Sequence, residues 1–196
     1  DVVIASDAVG QFLTLSERVA EEWVDQATVP IDSSQRATFS FETYPILTDG
    51  DHQIRARVLD AAGNESTLVR DVAVDRVFPS LTVTAPMDGA SLFDADDASP
   101  SDGGYQVLVQ FSCSSTDGVA WAILMEGGCD ETFATCNAPI RVAAGSLTPG
   151  VTIERRPTLA LGNTRYYRLT VQVFDQAGNM TAAVRTLTVD LAQCWL

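Results

Sequence analysis

The sequence predicts an all-β protein built as two tandem antiparallel sandwiches, and three observations carry that prediction. Apolar and polar residues alternate over short runs, as in Ile54, Ala56 and Val58 against Arg55 and Arg57. Turn-forming residues punctuate such runs at the spacing of about 8–12 residues usual for sandwiches. One strand–turn–strand pattern also occurs twice: Val58–Asp75 (VLDAAGNESTLVRDVAVD) aligns without a gap on Val173–Asp190 (VFDQAGNMTAAVRTLTVD), 115 residues later, with 9 of 18 positions identical. An internal repeat of this kind marks repeated structural units.

Taken in chain order, Asp1–Ser6 is apolar enough for a strand. Thr14–Val24 has Leu15, Val19 and Glu22 at helical spacing but reads equally as a strand pair broken near Glu17, and its strand-like surroundings favour the pair. Thr38–Phe41 is strand-like. Ile54–Val58 alternates with period two, so one face is buried and the other wet. Asp60-Ala61-Ala62-Gly63-Asn64 supplies a turn, since Gly and Asn tolerate positive φ and Asp bonds nearby amides. Val69–Val74 is the return strand. Arg76–Pro79 reads as a linker, because Pro79 disfavours continuing the strand. Units are therefore expected at 1–77 and 78–196. Beyond the linker, Leu81–Thr84, Tyr105–Phe111 and Val119–Met125 read as strands, and Leu169, Val171 and Val173 alternate into the second Asp-x-Ala-Gly-Asn turn and its return strand, Val184–Val189.

Composition excludes several functions. The 196 residues carry a net charge of −14, with 12 Arg and no Lys. That balance argues against nucleic acid and anionic membrane surfaces, whose binding rests on cations. Without Lys there is no Schiff-base chemistry, P-loop or Lys–Asn isopeptide cross-link. The longest uncharged stretch, Gly103–Thr116, is 14 residues and includes Gln, Ser and Thr, whereas a spanning helix needs about 20 mostly apolar residues. No basic-then-apolar leader opens the sequence, so an export signal is expected to have been removed or to lie outside it.

The stretch DGDHQIRARVLDAAGN…VAVDRVFP resembles the end of one bacterial immunoglobulin-like repeat and the start of the next. In such repeats a short Asp-Gly loop leads into strand F, Asp-x-Ala-Gly-Asn makes the F–G turn, and Val-Asp-x-x-x-Pro links domains. PSLTVTAPMDGASLFDADDASPSDGGYQVLVQF is similar to their first two strands, with an acidic A–B loop. The resemblance covers nearly all of 78–196 and the later half of 1–77; residues 1–30 match least. It implies two tandem immunoglobulin-like sandwiches of a secreted or cell-surface bacterial protein.

All four cysteines fall in the second unit: Cys113, Cys129, Cys136 and Cys194. Cys129 and Cys136 bracket a six-residue loop that a disulfide can close. Some family members pair a cysteine at the position of Cys136 with one earlier in strand C; here that earlier position is near Ile123, so Cys129 stands in. Cys113 and Cys194 are expected at opposite poles, so their pairing requires residues 193–195 to fold back; pairing with other chains or a different connectivity stays open. Zinc is the competing reading, but the spacings are not Cys-x-x-Cys and the one His lies in the first unit. Disulfides imply an oxidising, exported setting.

The acids are the one residue type abundant enough to build a site. Asp60, Asp75, Asp94, Asp96 and Asp97 are candidate calcium ligands, since calcium takes six to eight hard oxygens and junction loops of tandem sandwiches offer them. The plainer expectation is that Asp60 and Asp175 hold turns and that Asp94–Asp97 is a solvated loop. Asn64-Glu65-Ser66 and Asn179-Met180-Thr181 fit the N-glycosylation pattern, but a bacterial setting favours turn roles. His52, after Asp49-Gly50-Asp51, lacks a Gly-x-Ser-x-Gly partner and reads as a strand-edge residue. Trp121 sits where sandwiches bury a Trp, while Trp23 and Trp195 stay open as sugar-stacking candidates.

The resulting expectation is a non-catalytic structural and adhesive module whose partners are other protein domains or copies of itself. The alternative is a carbohydrate-binding accessory module of an exported enzyme. A first unit of about 77 residues is short against roughly 100 for a typical sandwich, which suggests an unpaired sheet edge. Asp1–Ser6 is then either a strand completing its own sheet or one donated to a neighbouring copy, giving end-to-end fibres.

Overall fold

A computed structural model describes residues 2–5, 7–9, 11–39, 47–116, 118–159 and 165–190. It is all-β apart from one short 3-10 turn, and divides into two compact units, Asp1–Arg76 and Val77–Leu196.

Unit 1 contains β1 (Val2–Ala5), β2 (Phe12–Val19), β3 (Glu22–Pro30), β4 (Arg36–Phe39), β5 (Gly50–Leu59) and β6 (Glu65–Val74). A four-stranded sheet runs β3-β2-β5-β6, and a two-stranded one pairs β1 with β4. The alternation read from the sequence sets the faces: Leu13, Leu15, Ile54 and Ala56 join Ile31, Ala37 and Phe39 in the core. Thr14–Val24 is a hairpin whose break lies at Ala20–Glu21, three residues beyond Glu17. Ala20 and Glu21 both take positive φ, 46° and 75°, the sense a two-residue hairpin loop requires. Glu17 lies inside β2, opposite Val24. Val2–Ala5 pairs antiparallel with Arg36–Phe39 of its own unit, so it is not a donated strand here; residues 1 and 6 lie outside the described residues.

Unit 2 contains β7 (Thr82–Ala85), β8 (Ala90–Leu92), a 3-10 turn (Asp94–Asp96), β9 (Tyr105–Gln106), β10 (Val109–Ser112), β11 (Gly118–Glu126), β12 (Ile140–Ser146), β13 (Ile153–Arg155), β14 (Thr158–Leu159), β15 (Tyr166–Asp175) and β16 (Met180–Val189). One sheet runs β13-β10-β7, a second runs β12-β11-β15-β16-β8, and β14 pairs with β9. Inward residues of the two larger sheets, among them Phe111, Trp121, Ile123, Leu169, Val171 and Leu187, form one core. The expected strand Tyr105–Phe111 is split. Tyr105, Gln106 and Val107 are buried in succession rather than alternately, and the Val107 amide donates to the Pro157 carbonyl as the chain passes from β9 to β10.

Candidate functional site

The repeated motif builds the same turn twice. In unit 1 the Asp60 carboxylate accepts the Ala62 amide at 2.9 Å, the Asn64 amide at 2.8 Å and the Asn64 side-chain amide at 2.7 Å. In unit 2 Asp175 accepts the Asn179 amide and side-chain amide, both at 2.8 Å. Gly63 and Gly178 take φ of 88° and 93°, where a side chain is strained. The strands leaving both turns pair in the same register, Val58 with Ser66 and Val173 with Thr181. The bonds from Asn64, side chain first and then backbone, hold the Asp60 carboxyl below the usual carboxylate value. Burial pulls the Asp175 carboxyl up, but the bonds from Asn179, Gly178 and Ala177 together outweigh it and the net shift is also down.

That direction gives a pH prediction. A carboxyl with a lower pKa folded than unfolded stabilises the fold above the unfolded value, about 4, and loses that contribution as pH falls through the folded value. The melting temperature is therefore expected to fall between pH 5 and pH 2, read by circular dichroism. The fall should be shallower in the double variant Asp60→Asn, Asp175→Asn; an unchanged slope would contradict the assigned role.

The other candidate acids also serve their own loops. The Asp96 carboxylate accepts the Phe93 amide at 2.9 Å, and Asp97 accepts the Ser99 and Gln106 amides at 3.0 and 3.1 Å. Asp94 opens the 3-10 turn, and Asp75 follows β6. Burial first, then the charges of Asp96, Asp97 and Asp94, push the Tyr105 phenol up to about 12, and its hydroxyl donates to the Phe93 carbonyl. Among the described residues, no group of three or more His, Cys, Asp or Glu side chains is arranged to hold a metal ion.

Cys129 and Cys136 are joined by a disulfide that closes an ordered loop. Asp130 organises its interior, accepting the amides of Thr132, Ala134 and Thr135 and the Thr132 hydroxyl. The loop is anchored outside the ring as well: the Cys129 amide donates to the Tyr166 carbonyl, and Phe133 meets the Tyr166 ring edge-on at 5.6 Å. Beside it the Arg168 guanidinium grips Glu126 with two bonds of 2.6 and 2.7 Å and reaches the Phe133 carbonyl at 3.4 Å. This cross-strand pair holds the Glu126 carboxyl below its ordinary value despite burial. Cys113 is a buried thiol among the described residues, whereas Cys194 and Trp195 lie outside them.

His52 is placed in a structural triplet rather than beside a nucleophile. Its Nδ1 lies 2.7 Å from Glu17 Oε1, and its Nε2–H donates to the Thr48 carbonyl at 2.7 Å, while Gln26 donates to the other Glu17 oxygen. Trp121 is 2% exposed, and its indole N–H donates to the Ser146 carbonyl at 2.9 Å. Trp23 is half-buried beneath the Arg55 guanidinium, 4.7 Å from the ring centre. Residue spacing gave no hint of the Glu126–Arg168 and Glu17–His52 pairs, which join residues 42 and 35 apart in sequence.

Two facing sheets, with the last two strands joined by an Asp–Asn-locked turn and the first strand divided between sheets, define an immunoglobulin-like sandwich. The particular family follows from the sequence match. This chain belongs to the bacterial Ig-like domain family, whose model matches residues 21–76 and 114–191. Among solved structures it is similar to the fibronectin(III)-like modules of CbhA from Clostridium thermocellum, with 13% identity and a TM-score of 0.50 over 98% of this chain and 85% of that one. That likeness concerns the fold alone. A tetra-tandem repeat from the extending region of a large adhesion protein has 13% identity and a TM-score of 0.39, covering 93% of this chain and 42% of that one. A Ca2+-stabilized, ice-binding adhesin of an Antarctic bacterium has 14% identity and a TM-score of 0.36, covering 94% and 41%. The chain thus spans about two fifths of the length of either adhesin structure. No curated protein matches the chain.

Proposed function

We propose that the chain is a non-catalytic structural and adhesive module of a secreted or cell-surface bacterial protein, spacing or presenting neighbouring domains. The observation that carries this reading is the Cys129–Cys136 disulfide within a sandwich of the bacterial Ig-like family. Such cross-links persist in oxidising compartments outside the cytosol. The net charge of −14 supports protein partners over nucleic acid, and among the described residues no helix is long and apolar enough to cross a membrane.

The polar groups most suggestive of chemistry are engaged in holding the fold, as in the Glu17–His52–Thr48 chain. The carbohydrate alternative rests on exposed aromatics, and of its candidates Trp23 is half-buried beneath the Arg55 guanidinium while Trp195 lies outside the described residues. Calcium at Asp60, Asp75, Asp94, Asp96 and Asp97 does not enter this reading, since among the described residues no group of three or more acids is arranged to hold a metal ion. Fibre formation through a donated Val2–Ala5 strand is left out for a similar reason: that strand is paired with β4.

Antibodies raised against the chain test the location. They are expected to label intact cells of the source bacterium, and maleimide–polyethylene glycol is expected to leave Cys129 and Cys136 unmodified until a reductant is added. Labelling only after lysis, with both thiols free, would overturn the proposal.

A further inference from the structure

Asp-Gly occurs four times in the sequence, at Asp49, Asp88, Asp102 and Asp117, and Asn-Gly does not occur. Such a pair carries a latent reaction. The glycine nitrogen can attack the aspartate carboxyl carbon and close a five-membered succinimide, because glycine has no Cβ to crowd the ring. A fold suppresses that attack by holding the carboxyl or the amide, and this fold holds its Asp-Gly pairs unequally.

At Asp88–Gly89 both partners are held. The Asp88 carboxylate accepts the Thr186 amide at 2.9 Å and the Thr186 hydroxyl at 3.0 Å, while the Gly89 amide donates to the Thr186 carbonyl at 2.9 Å. The bonds from Thr186, amide first and then hydroxyl, also hold the carboxyl below its usual value and so in the ionised form, the poorer electrophile. At Asp49–Gly50 the amide is held. Gly50 pairs with Val74 in the β5–β6 ladder, at the same parity as Asp60, whose amide donates to the Asn64 carbonyl. Asp117 lies outside the described residues.

Asp102–Gly103 is different. Both residues are exposed, and among the described residues the Gly103 amide donates to nothing. The Asp102 carboxyl has one partner, the Ser99 hydroxyl, which donates to Oδ2 at 2.7 Å. A proton offered to that oxygen eases its departure as water and leaves the carboxyl carbon open to the neighbouring nitrogen.

We propose that Asp102–Gly103 is a site of spontaneous isomerisation, at which Asp102 becomes isoaspartate as the protein ages. The carboxyl reacts in its protonated form: the Gly103 nitrogen bonds to Asp102 Cγ, the Cγ–Oδ2 bond breaks, and the hydroxyl leaves with the amide proton as water. Water then reopens the ring. Addition at Cγ restores Asp102, whereas addition at the main-chain carbonyl routes the chain through the side chain and frees an α-carboxylate. Water is lost and regained, so composition is unchanged and no other reactant is needed.

The extra methylene falls where this loop is tied down. The Gly103 carbonyl accepts the Gln106 side-chain amide at 3.0 Å; Gln106 is 4% exposed, and its Oε1 has no partner among the described residues. The other bond of that amide, to the Thr158 hydroxyl, is 3.5 Å long. Displacing Gly103 therefore leaves a buried amide poorly satisfied at both ends, a condition that destabilises its surroundings. Gln106 pairs with Thr158, so the β9–β14 pair is expected to loosen while the β11–β15 and β15–β16 ladders stay intact. On the adhesive reading the change accumulates outside the cell and marks the age of the module. The reaction itself does not depend on that reading and is tested on pure protein, so the two fail separately.

The 196-residue chain is kept in warm neutral buffer for several weeks, sampled and digested. Protein isoaspartyl methyltransferase with labelled S-adenosylmethionine marks isoaspartate and leaves aspartate alone, and fragmentation of the labelled peptides places it. Isoaspartate is expected at Asp102 roughly tenfold faster than at Asp49 or Asp88, where hydrogen bonds must open first. A Cβ on Gly103 would meet no atom within 4 Å, so Gly103→Ala should fold normally and isomerise roughly tenfold more slowly, its methyl crowding the ring. Asp102→Glu, which needs a six-membered ring, should give no isoaspartate at this position. In the aged protein the amides of β9 and β14 should exchange faster than in fresh protein, and in aged Gly103→Ala they should not. Isoaspartate appearing first at Asp49 or Asp88, none at Asp102, or an unchanged rate in folded Gly103→Ala would overturn the proposal. Unchanged exchange along β9 and β14 in fully isomerised protein would overturn the structural consequence assigned to it.

Discussion

Trp121→Ala is expected to lower the stability of unit 2 by about 3–5 kcal/mol, the range for emptying a large aromatic site in a packed core. The ring is 2% exposed and packs edge-to-face on Phe111 at 5.4 Å between centroids. Its outer face carries the Arg155 guanidinium at 4.8 Å, and its N–H is bonded to the Ser146 carbonyl. Truncation therefore removes apolar burial, an aromatic pair and the hydrogen bond to a carbonyl of the neighbouring strand β12. Gly145 sharpens the test. A Cβ there would stand 2.8 Å from one ring carbon of Trp121 and 3.1 Å from another, so Gly145→Ala should also destabilise, and less so when combined with Trp121→Phe. Chemical denaturation followed by NMR resolves the two units, and signals of His52 in unit 1 should keep their midpoint. A loss below about 1 kcal/mol for Trp121→Ala would mean that the indole is not a core residue.

Opening the Cys129–Cys136 bond is expected to cost unit 2 about 2.5 kcal/mol by the loop-entropy relation for cysteines seven apart in sequence. Unit 1 has no cysteine, so reductant should shift one melting transition and leave the other in place. The Asp130 bonds inside the loop and the Arg168 contact to Phe133 are expected to keep the reduced loop near its oxidised path, so Cys129→Ser with Cys136→Ser folds with a lowered midpoint. Peptide mapping without reductant should recover Cys129 and Cys136 in one cross-linked fragment. Recovery of Cys129 bound to Cys113 would contradict the structure.

Legibility of the fold in the sequence followed the range of the interactions. The hairpins at Val58 and Val173 were readable because alternation, Asp-x-Ala-Gly-Asn and register are local, and the structure repeats them bond for bond at Asp60–Asn64 and Asp175–Asn179. Trp121 was readable because a large apolar residue in an alternating run faces the core. The break in the first hairpin was misplaced because Ala20 and Glu21 adopt positive φ without being turn formers, a conformation imposed by the pairing of Val19 with Glu22. The Tyr105–Phe111 strand was drawn too long because its change of sheet depends on Pro157, fifty residues away in sequence. Of the candidate sites, the acids were legible as turn formers. The Glu126–Arg168 and Glu17–His52 pairs were not, since charged residues on different strands carry no local signal of meeting.

The proposed module consists of two bacterial Ig-like sandwiches in tandem that fold as separate units. Pulling single molecules from both ends tests that separation most directly. The account predicts two unfolding steps under oxidising conditions, the longer about half as long again as the shorter, because chain released scales with residues unfolded and the units span Asp1–Arg76 and Val77–Leu196. Reduction should lengthen the larger step alone, by the chain hidden between Cys129 and Cys136. A single step releasing the whole chain, or a reductant-sensitive gain in the shorter step, would contradict it.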